Sequence, residues 1–395
     1  MKIKSIREAK KIKGCTAFLR VDFNVPLIGK KIKDESKIIA ALPTIRFLLR
    51  AGCPIIIATH WGDPKGKKNK NLSTKPLAKR LEKIIGKRFC SVIFSENIIG
   101  EKIKKSAANL KAGEILFLEN LRFNKGEEKN ETGFAKKLAK LADFYVNEAF
   151  SVCHRQHASV KAIKRYLPGY SGLLLTEEIK NLDKIKNPAK PLVVIMGGAK
   201  INTKINLIKN LYPKASHILI GGALANNFFK AKGYGVGESL IDKESVLVAK
   251  KLIKNNRAYQ QAGKIILPLD VVVSQKGDRE HGLIKKVDLI GKKDCALDIG
   301  PETIHLYANI IKEAKTIIWN GPLGAFEEKT FRHGTLALAT LIAARSRGKT
   351  FGVIGGGETL EALKMTKMEG YVDWISMGGG AMLAYLGGEK MPGLS

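Results

Sequence analysis

Short β-rich apolar runs alternate along the chain with longer stretches whose apolar residues recur at helical spacing. In the first half these runs are 16–21, 54–59, 91–94, 115–118 and 144–146. In the second half they are 192–196, 217–220, 265–269, 316–319, 350–354 and 374–377. Runs that are apolar on both faces suit parallel strands covered by helices on each side. Their alternation with helical segments predicts doubly wound sheets, and two sets of strands predict two of them. Residues 176–186 read as a charged helix, stopped by the Asn187-Pro188 and Lys190-Pro191 steps before a fresh strand. The expected fold class is therefore α/β. Two Rossmann-like parallel-sheet domains, 1–172 and 191–379, are joined by a helix and hinge at 173–190, with a cleft between them. No repeat of 20–50 residues is visible.

Length agrees, because 395 residues exceed what one hydrophobic core organises. Hydrophobic residues at 45% and charged residues at 27% describe a folded chain, not a disordered one. Charge changes the picture more. Lys and Arg number 69 against 36 Asp and Glu, a formal net charge of +33. Such a surplus attracts polyanions, so nucleic acid must be weighed as a partner. No helix-turn-helix, RNA-recognition sequence or zinc-finger spacing supports it. Lysines such as Lys102, Lys104 and Lys105 read as solvated helix faces whose field gathers small phosphorylated molecules. The five cysteines are scattered and form no CxxC pair, which fits a reducing cytoplasm rather than a disulfide framework or a zinc site. The basic N-terminus lacks the apolar core of a signal peptide, and no apolar run approaches the ~20 residues of a membrane helix. A cytoplasmic protein with no membrane partner is expected.

In open parallel sheets, ligands bind beyond the carboxyl ends of the strands. There the run 192–196 leads into Gly197-Gly198-Ala199-Lys200, with Lys204 four residues on. Run 350–354 leads into Gly355-Gly356-Gly357-Glu358, and run 374–377 into Gly378-Gly379-Gly380. The Lys200 and Lys204 spacing puts two ammonium groups on one helix face near an N-terminus that favours anions. Three glycine turns at strand ends point to a phosphate cradle for a nucleotide. Two familiar phosphate motifs are excluded. Gly348-Lys349-Thr350 lacks the P-loop glycine at position 343, which is Ala343, and 233–237 lacks the GxGxxG interval. The first half supplies a different set after its strands: Arg20 and the residues to Pro26, with Lys37, His60, Arg122 and Arg155. Collectively these make an anion pocket. His154 and His157 read as packed or solvated rather than as metal ligands.

Together these residues resemble a known family. RVDFNVP at 20–26, FLENLRF at 117–123, NEAFSVCHRQHAS at 147–159, MGGAKINTKI at 196–205, DIGPET at 298–303, TIIWNGPLGAFE at 316–327 and GGGET at 355–359 look like phosphoglycerate kinase. The resemblance runs in order along essentially the whole chain. It implies reversible phosphoryl transfer between 1,3-bisphosphoglycerate with ADP and 3-phosphoglycerate with ATP, in glycolysis, by a monomer that uses Mg2+. It assigns the triose substrate to Asp22, Asn24, Lys37, His60, Arg122 and Arg155. Nucleotide phosphates fall to Lys200 and Lys204 with Asn320 nearby, the ribose to Glu327, and the adenine to Gly221 and Gly222. Gly355, Gly356 and Gly357 lead into a metal position at Glu358. Lys37 and Lys200 are the implied catalytic cations, and residues 380–395 the tail that returns to the first domain.

The chemistry is consistent with a site rich in cations and glycine N–H groups but without a triad. Both nucleophiles, a carboxylate and a phosphate oxygen, are already ionised at neutral pH, so no general base is needed. Catalysis reduces to alignment and charge neutralisation. Four positions depart from the family pattern. Lys37 stands where an arginine is usual, Asp63 where a basic residue is usual, Glu358 for an aspartate and Met377 for a hydroxyl residue. Lysine lacks the bidentate fork of arginine. These changes bear on turnover more than on nucleotide binding, and they define an alternative: a catalytically weakened nucleotide-binding paralogue with a scaffold or regulatory role.

Overall fold

Residues 3–28, 31–86, 88–198, 204–258 and 264–395 are described by a computed structural model. They form two units, Met1–Lys180 with Lys390–Ser395, and Asn181–Glu389. In the first unit a six-stranded sheet runs in the order Ser91–Ser95, Glu114–Leu118, Ile55–Ala58, Ala17–Arg20, Phe144–Asn147, Gly169–Ser171, and every pair is parallel. Successive side chains divide between two cores. Ala17, Leu19, Ile55, Ile57, Ile115 and Phe117 enter one, and Phe18, Ile56, Leu116 and Tyr145 enter the other. Alternation onto two buried faces is why these runs read as apolar throughout.

The second unit repeats the architecture in the order Ile265–Ile266, His217–Ile220, Leu192–Met196, Thr316–Asn320, Phe351–Gly355, Trp374–Ser376, again all parallel. Numbered within this sheet the order is 3-2-1-4-5-6. The chain therefore changes winding direction between Leu192–Met196 and Thr316–Asn320, which opens a crevice at their carboxyl ends. In the first unit the corresponding crevice flanks Ala17–Arg20.

Two features were not legible as strands, and a third strand is shorter than its run. Gly169–Ser171 is too short and polar to register. Asp270–Gln275, Leu283–Lys286 and Asp294–Ile299 form a separate antiparallel sheet whose edge leaves Leu283 and Ile284 exposed. The expected strand 265–269 shrinks to Ile265–Ile266, because Pro268 has no N–H to continue a ladder.

The helix Leu173–Lys186 begins on a buried acid. Glu148 accepts hydrogen bonds from the Leu174 and Leu175 amides at 3.2 and 3.3 Å and from the Thr44 hydroxyl. Burial outweighs these bonds and pushes its carboxyl up to about 7. The folded state then keeps a proton between roughly pH 4.5 and 7 that the unfolded chain has lost. Stability conferred through this group must fall as pH rises across that window, by about 1.4 kcal/mol for each pH unit in which the states differ by one proton. Glu148→Gln is expected to flatten the decline of Tm between pH 5 and 7. An unchanged slope in a thermal melt series would show that Glu148 does not hold this proton.

Candidate active site

At the carboxyl end of the first sheet, the chain leaving Ala17–Arg20 turns through Asp22. One Asp22 carboxylate oxygen accepts from the Lys37 ammonium at 2.6 Å and the Ser151 hydroxyl at 2.5 Å, and the other accepts from the Asn24 amide at 2.9 Å. Burial alone would raise the Asp22 pKa, but the Lys37 charge and the bonds from Lys37 and Ser151 hold it well below the carboxylate range. Lys37 stands in the first turn of the helix Ser36–Arg50 and keeps 29% of its side chain exposed. Its charge is therefore available to a ligand anion.

Beside it, after Ile55–Ala58, lies buried His60. Arg20 Nη2 approaches its Nδ1 at 3.3 Å. A guanidinium can only donate, so Nδ1 accepts and the proton sits on Nε2. Burial, then the charges of Arg20, Arg122 and Lys37, push the His60 pKa well below its usual value despite Asp22. His60 is thus a neutral donor at physiological pH. Arg20 is itself buried, held by Ser159 at 2.8 Å and facing Glu127 at 3.9 Å. Arg122 follows Glu114–Leu118, donates to the Gly62 carbonyl at 2.8 Å and pairs with Glu128 at 3.3 Å. Exposed Arg155 and exposed Asp63 both act on its charge. Asn24 is exposed and accepts from the Gly62 amide at 3.0 Å.

Asp22, Asn24, Lys37, His60, Arg122 and Arg155 thus share one end of one sheet. One partner was not singled out from the sequence: Ser151, in the 3-10 turn Phe150–Val152, buttresses Asp22, and its only signal was its position within NEAFSVC. Arg20, read from the sequence with the anion-pocket residues, is instead buried and fixes the His60 tautomer. His157 is buried, with its pKa lowered to about 3 by burial and by neighbouring arginines, so it stays neutral and packed.

The second unit places its residues around the switch point. Gly197 and Gly198 donate to the Asn320 and Pro322 carbonyls at 3.1 and 2.7 Å. Gly198 and Gly321 adopt positive φ, 78° and 92°. A methyl group at Gly198 would lie 3.3 Å from the Lys204 ammonium and 4.0 Å from a Glu358 carboxylate oxygen. Lys204 is buried and donates to the Gly197 carbonyl at 2.8 Å. Burial lowers its pKa, and the Glu358 charge opposes that shift. Lys204 immediately precedes the helix Ile205–Leu211 rather than riding on it, and Lys200 lies outside the described residues. Asn320 donates to the Gly355 carbonyl at 2.8 Å, and Gly356 caps the helix Gly357–Met365 with Glu358 exposed in its first turn. Gly221 caps the helix Gly222–Lys232. Beside it Gly222, Ala225, Leu297 and Leu323 line a narrow crevice together with Asn226 and Asp298, and exposed Glu327 lies on the loop after Thr316–Asn320.

Compared as a whole, the chain has relatives among known proteins. The phosphoglycerate kinase family model matches residues 6–389. The chain belongs to the phosphoglycerate kinase family. Phosphoglycerate kinase of Moorella thermoacetica is 44% identical over 379 residues, covering 95% of this chain and 94% of that protein. That of Thermosipho africanus is 42% identical over 387 residues, covering 97% and 95%. The structure of phosphoglycerate kinase from Coxiella burnetii superimposes with a TM-score of 0.85 at 33% identity, covering 99% of this chain and 98% of that one. The chain is thus a glycolytic phosphotransferase with a carboxyl group as acceptor, on the α/β fold of two parallel sheets. Nothing in the comparisons favours a weakened paralogue. No helix among the described residues is long and apolar enough to cross a membrane.

Proposed function

We propose that the first unit binds the triose phosphate and the second the magnesium complex of ATP or ADP. The reading is carried by Gly198, whose bare backbone at the switch point lies beside both the cation Lys204 and the carboxylate Glu358. A phosphate chain needs such an arrangement: close backbone approach, one fixed ammonium and one group for a metal ion.

In the triose half-site Lys37, Arg122 and Arg155 supply positive charge, and neutral His60 donates from Nε2 without adding charge. Asp22 and Asn24 accept from hydroxyls and fix orientation. In the nucleotide half-site Lys204, with Lys200, neutralises the phosphates beside Asn320. Gly221 and Gly222 flank the adenine, Glu327 meets the ribose hydroxyls, and Gly355, Gly356 and Gly357 allow the approach of the phosphates. Lys37 and Lys200 follow the transferring group.

The residues fit magnesium. No group of three or more His, Cys, Asp or Glu suited to a metal occurs among the described residues. Magnesium, though, typically binds through one or two carboxylates plus substrate phosphates and water, so Glu358 alone suffices as its protein ligand. When bound at Glu358, the ion would supply positive charge to neutralise the substrate phosphates. Glu358→Gln is expected to raise the magnesium concentration for half-maximal rate roughly tenfold, while ADP binding without magnesium, followed by calorimetry, stays within about twofold. Equal magnesium requirements would remove Glu358 from the metal position.

The five free thiols support a reducing cytoplasm. The deciding experiment is a coupled assay of ATP formation from 1,3-bisphosphoglycerate, with and without magnesium. Retained ADP binding without any ATP formation would overturn the reading.

A further inference from the structure

Part of the positive charge gathers where phosphoryl transfer does not use it. At the carboxyl ends of the edge strand Ser91–Ser95 and its neighbour Glu114–Leu118 lies a cavity of about 710 Å³, within the usual size range of small-molecule sites. Half-buried Phe94 and Phe123 line it, and exposed Lys68, Lys70, Lys75 and Lys79 surround it. None of these belongs to either half-site. The Lys75 ammonium lies 5.9 Å from the centre of the Phe94 ring. Lys75 and Lys79 are four residues apart at the start of the helix Lys75–Ile85, so they share a face, and their charges add to the field of its N-terminus.

Two acids also line the cavity. The buried Glu119 carboxylate is occupied within the protein, accepting from the Ser73 hydroxyl at 2.7 Å and the Thr74 and Asn120 amides at 2.7 and 2.8 Å. Exposed Glu96 can accept from an amino group. Aromatic walls, clustered ammonium groups and one free carboxylate complement a flat ring bearing an amino group and phosphates. A bare phosphate would leave the aromatic walls unused.

We infer that this cavity is a second, non-catalytic site for an amino-substituted aromatic phosphate of nucleotide size. The ring packs against Phe94 and Phe123, and the phosphates meet Lys75 and Lys79 with Lys68 and Lys70. Each charge contact is exposed, so affinity falls with added salt.

The test titrates the full-length protein with ADP, without magnesium, by calorimetry. Wild type is expected to show two classes of site. Lys204→Ala should weaken the class assigned to the nucleotide half-site and leave the other, so failure of that assignment is read separately. The exposed pair Lys75→Gln with Lys79→Gln should weaken the second class at least tenfold with kcat unchanged, and Phe94→Leu should weaken it roughly tenfold. Adenosine alone and pyrophosphate alone should each bind there more weakly than ADP. A single class in wild type, a second class that survives the lysine pair, or pyrophosphate binding as tightly as ADP would each overturn the inference.

Discussion

Replacing Lys37 with alanine is expected to lower kcat by about 10²–10³-fold, the usual effect of removing one preorganised stabilising group, with little change in the KM for nucleotide. The ammonium sits 2.6 Å from Asp22 yet keeps a third of its surface free. It can therefore turn toward a phosphoryl group whose charge grows in the transition state. An interaction that strengthens only there appears in kcat rather than in ground-state affinity. The alanine variant also removes the main counter-charge of Asp22, leaving a carboxylate facing an anionic substrate. Adding Asp22→Asn to Lys37→Ala should restore part of the triose affinity but not kcat. Lys37→Arg is expected to raise kcat, because a planar fork can engage Asp22 and the phosphoryl oxygens together. Equal turnover of wild type and Lys37→Ala in the coupled assay would remove Lys37 from catalysis. A fall in Lys37→Arg would show a pocket fitted to an ammonium.

Gly197→Ala is expected to destabilise the second unit by about 3 kcal/mol or more, as overpacking does when no neighbour can yield, and to abolish tight nucleotide binding. The new methyl group would stand 1.9 Å from the Pro322 carbonyl oxygen, 2.6 Å from its carbon and 2.8 Å from the Gly321 carbonyl oxygen. All three are backbone atoms. Relief requires parting Leu192–Met196 from Thr316–Asn320, the two strands that make the crevice. The same contact seats Gly198 and so the separation of Lys204 and Glu358. Denaturant melts should show a lower midpoint for the second unit, and ADP titration should show lost affinity even where the variant stays folded. A native midpoint would mean that the backbone absorbs the methyl group without moving these strands. Gly370→Ala is the control, since no neighbouring atom lies within 4 Å of the added carbon and it lies outside the nucleotide half-site.

Every strand of the two main sheets except Gly169–Ser171 was legible as an apolar run, though Ile265–Ile266 is shorter than its run. The reason is local: a strand covered on both faces needs apolar residues at consecutive positions, and the sequence shows them directly. The glycine turns and the basic residues after the strands were legible for the same reason, because strand ends in parallel sheets are where ligands bind. Family resemblance named the roles that composition could not.

Other features were decided only by tertiary structure. No spacing links Ser151 to Asp22 across 129 positions or Arg20 to His60 across 40. Those contacts follow from which strands lie side by side. The tautomer of His60, the elevated pKa of Glu148 and the role of Gly197 depend likewise on burial and on backbone passing within contact distance. The antiparallel sheet around Asp270–Gln275 pairs strands that are neighbours in the chain, but it was hidden because Leu283–Lys286 is mostly exposed and shows no run buried on both faces. What the chain determined by itself is the list of elements and the residues at their ends. Tertiary structure decided which of those residues meet and how each is charged, since both depend on distances through space that sequence separation does not contain.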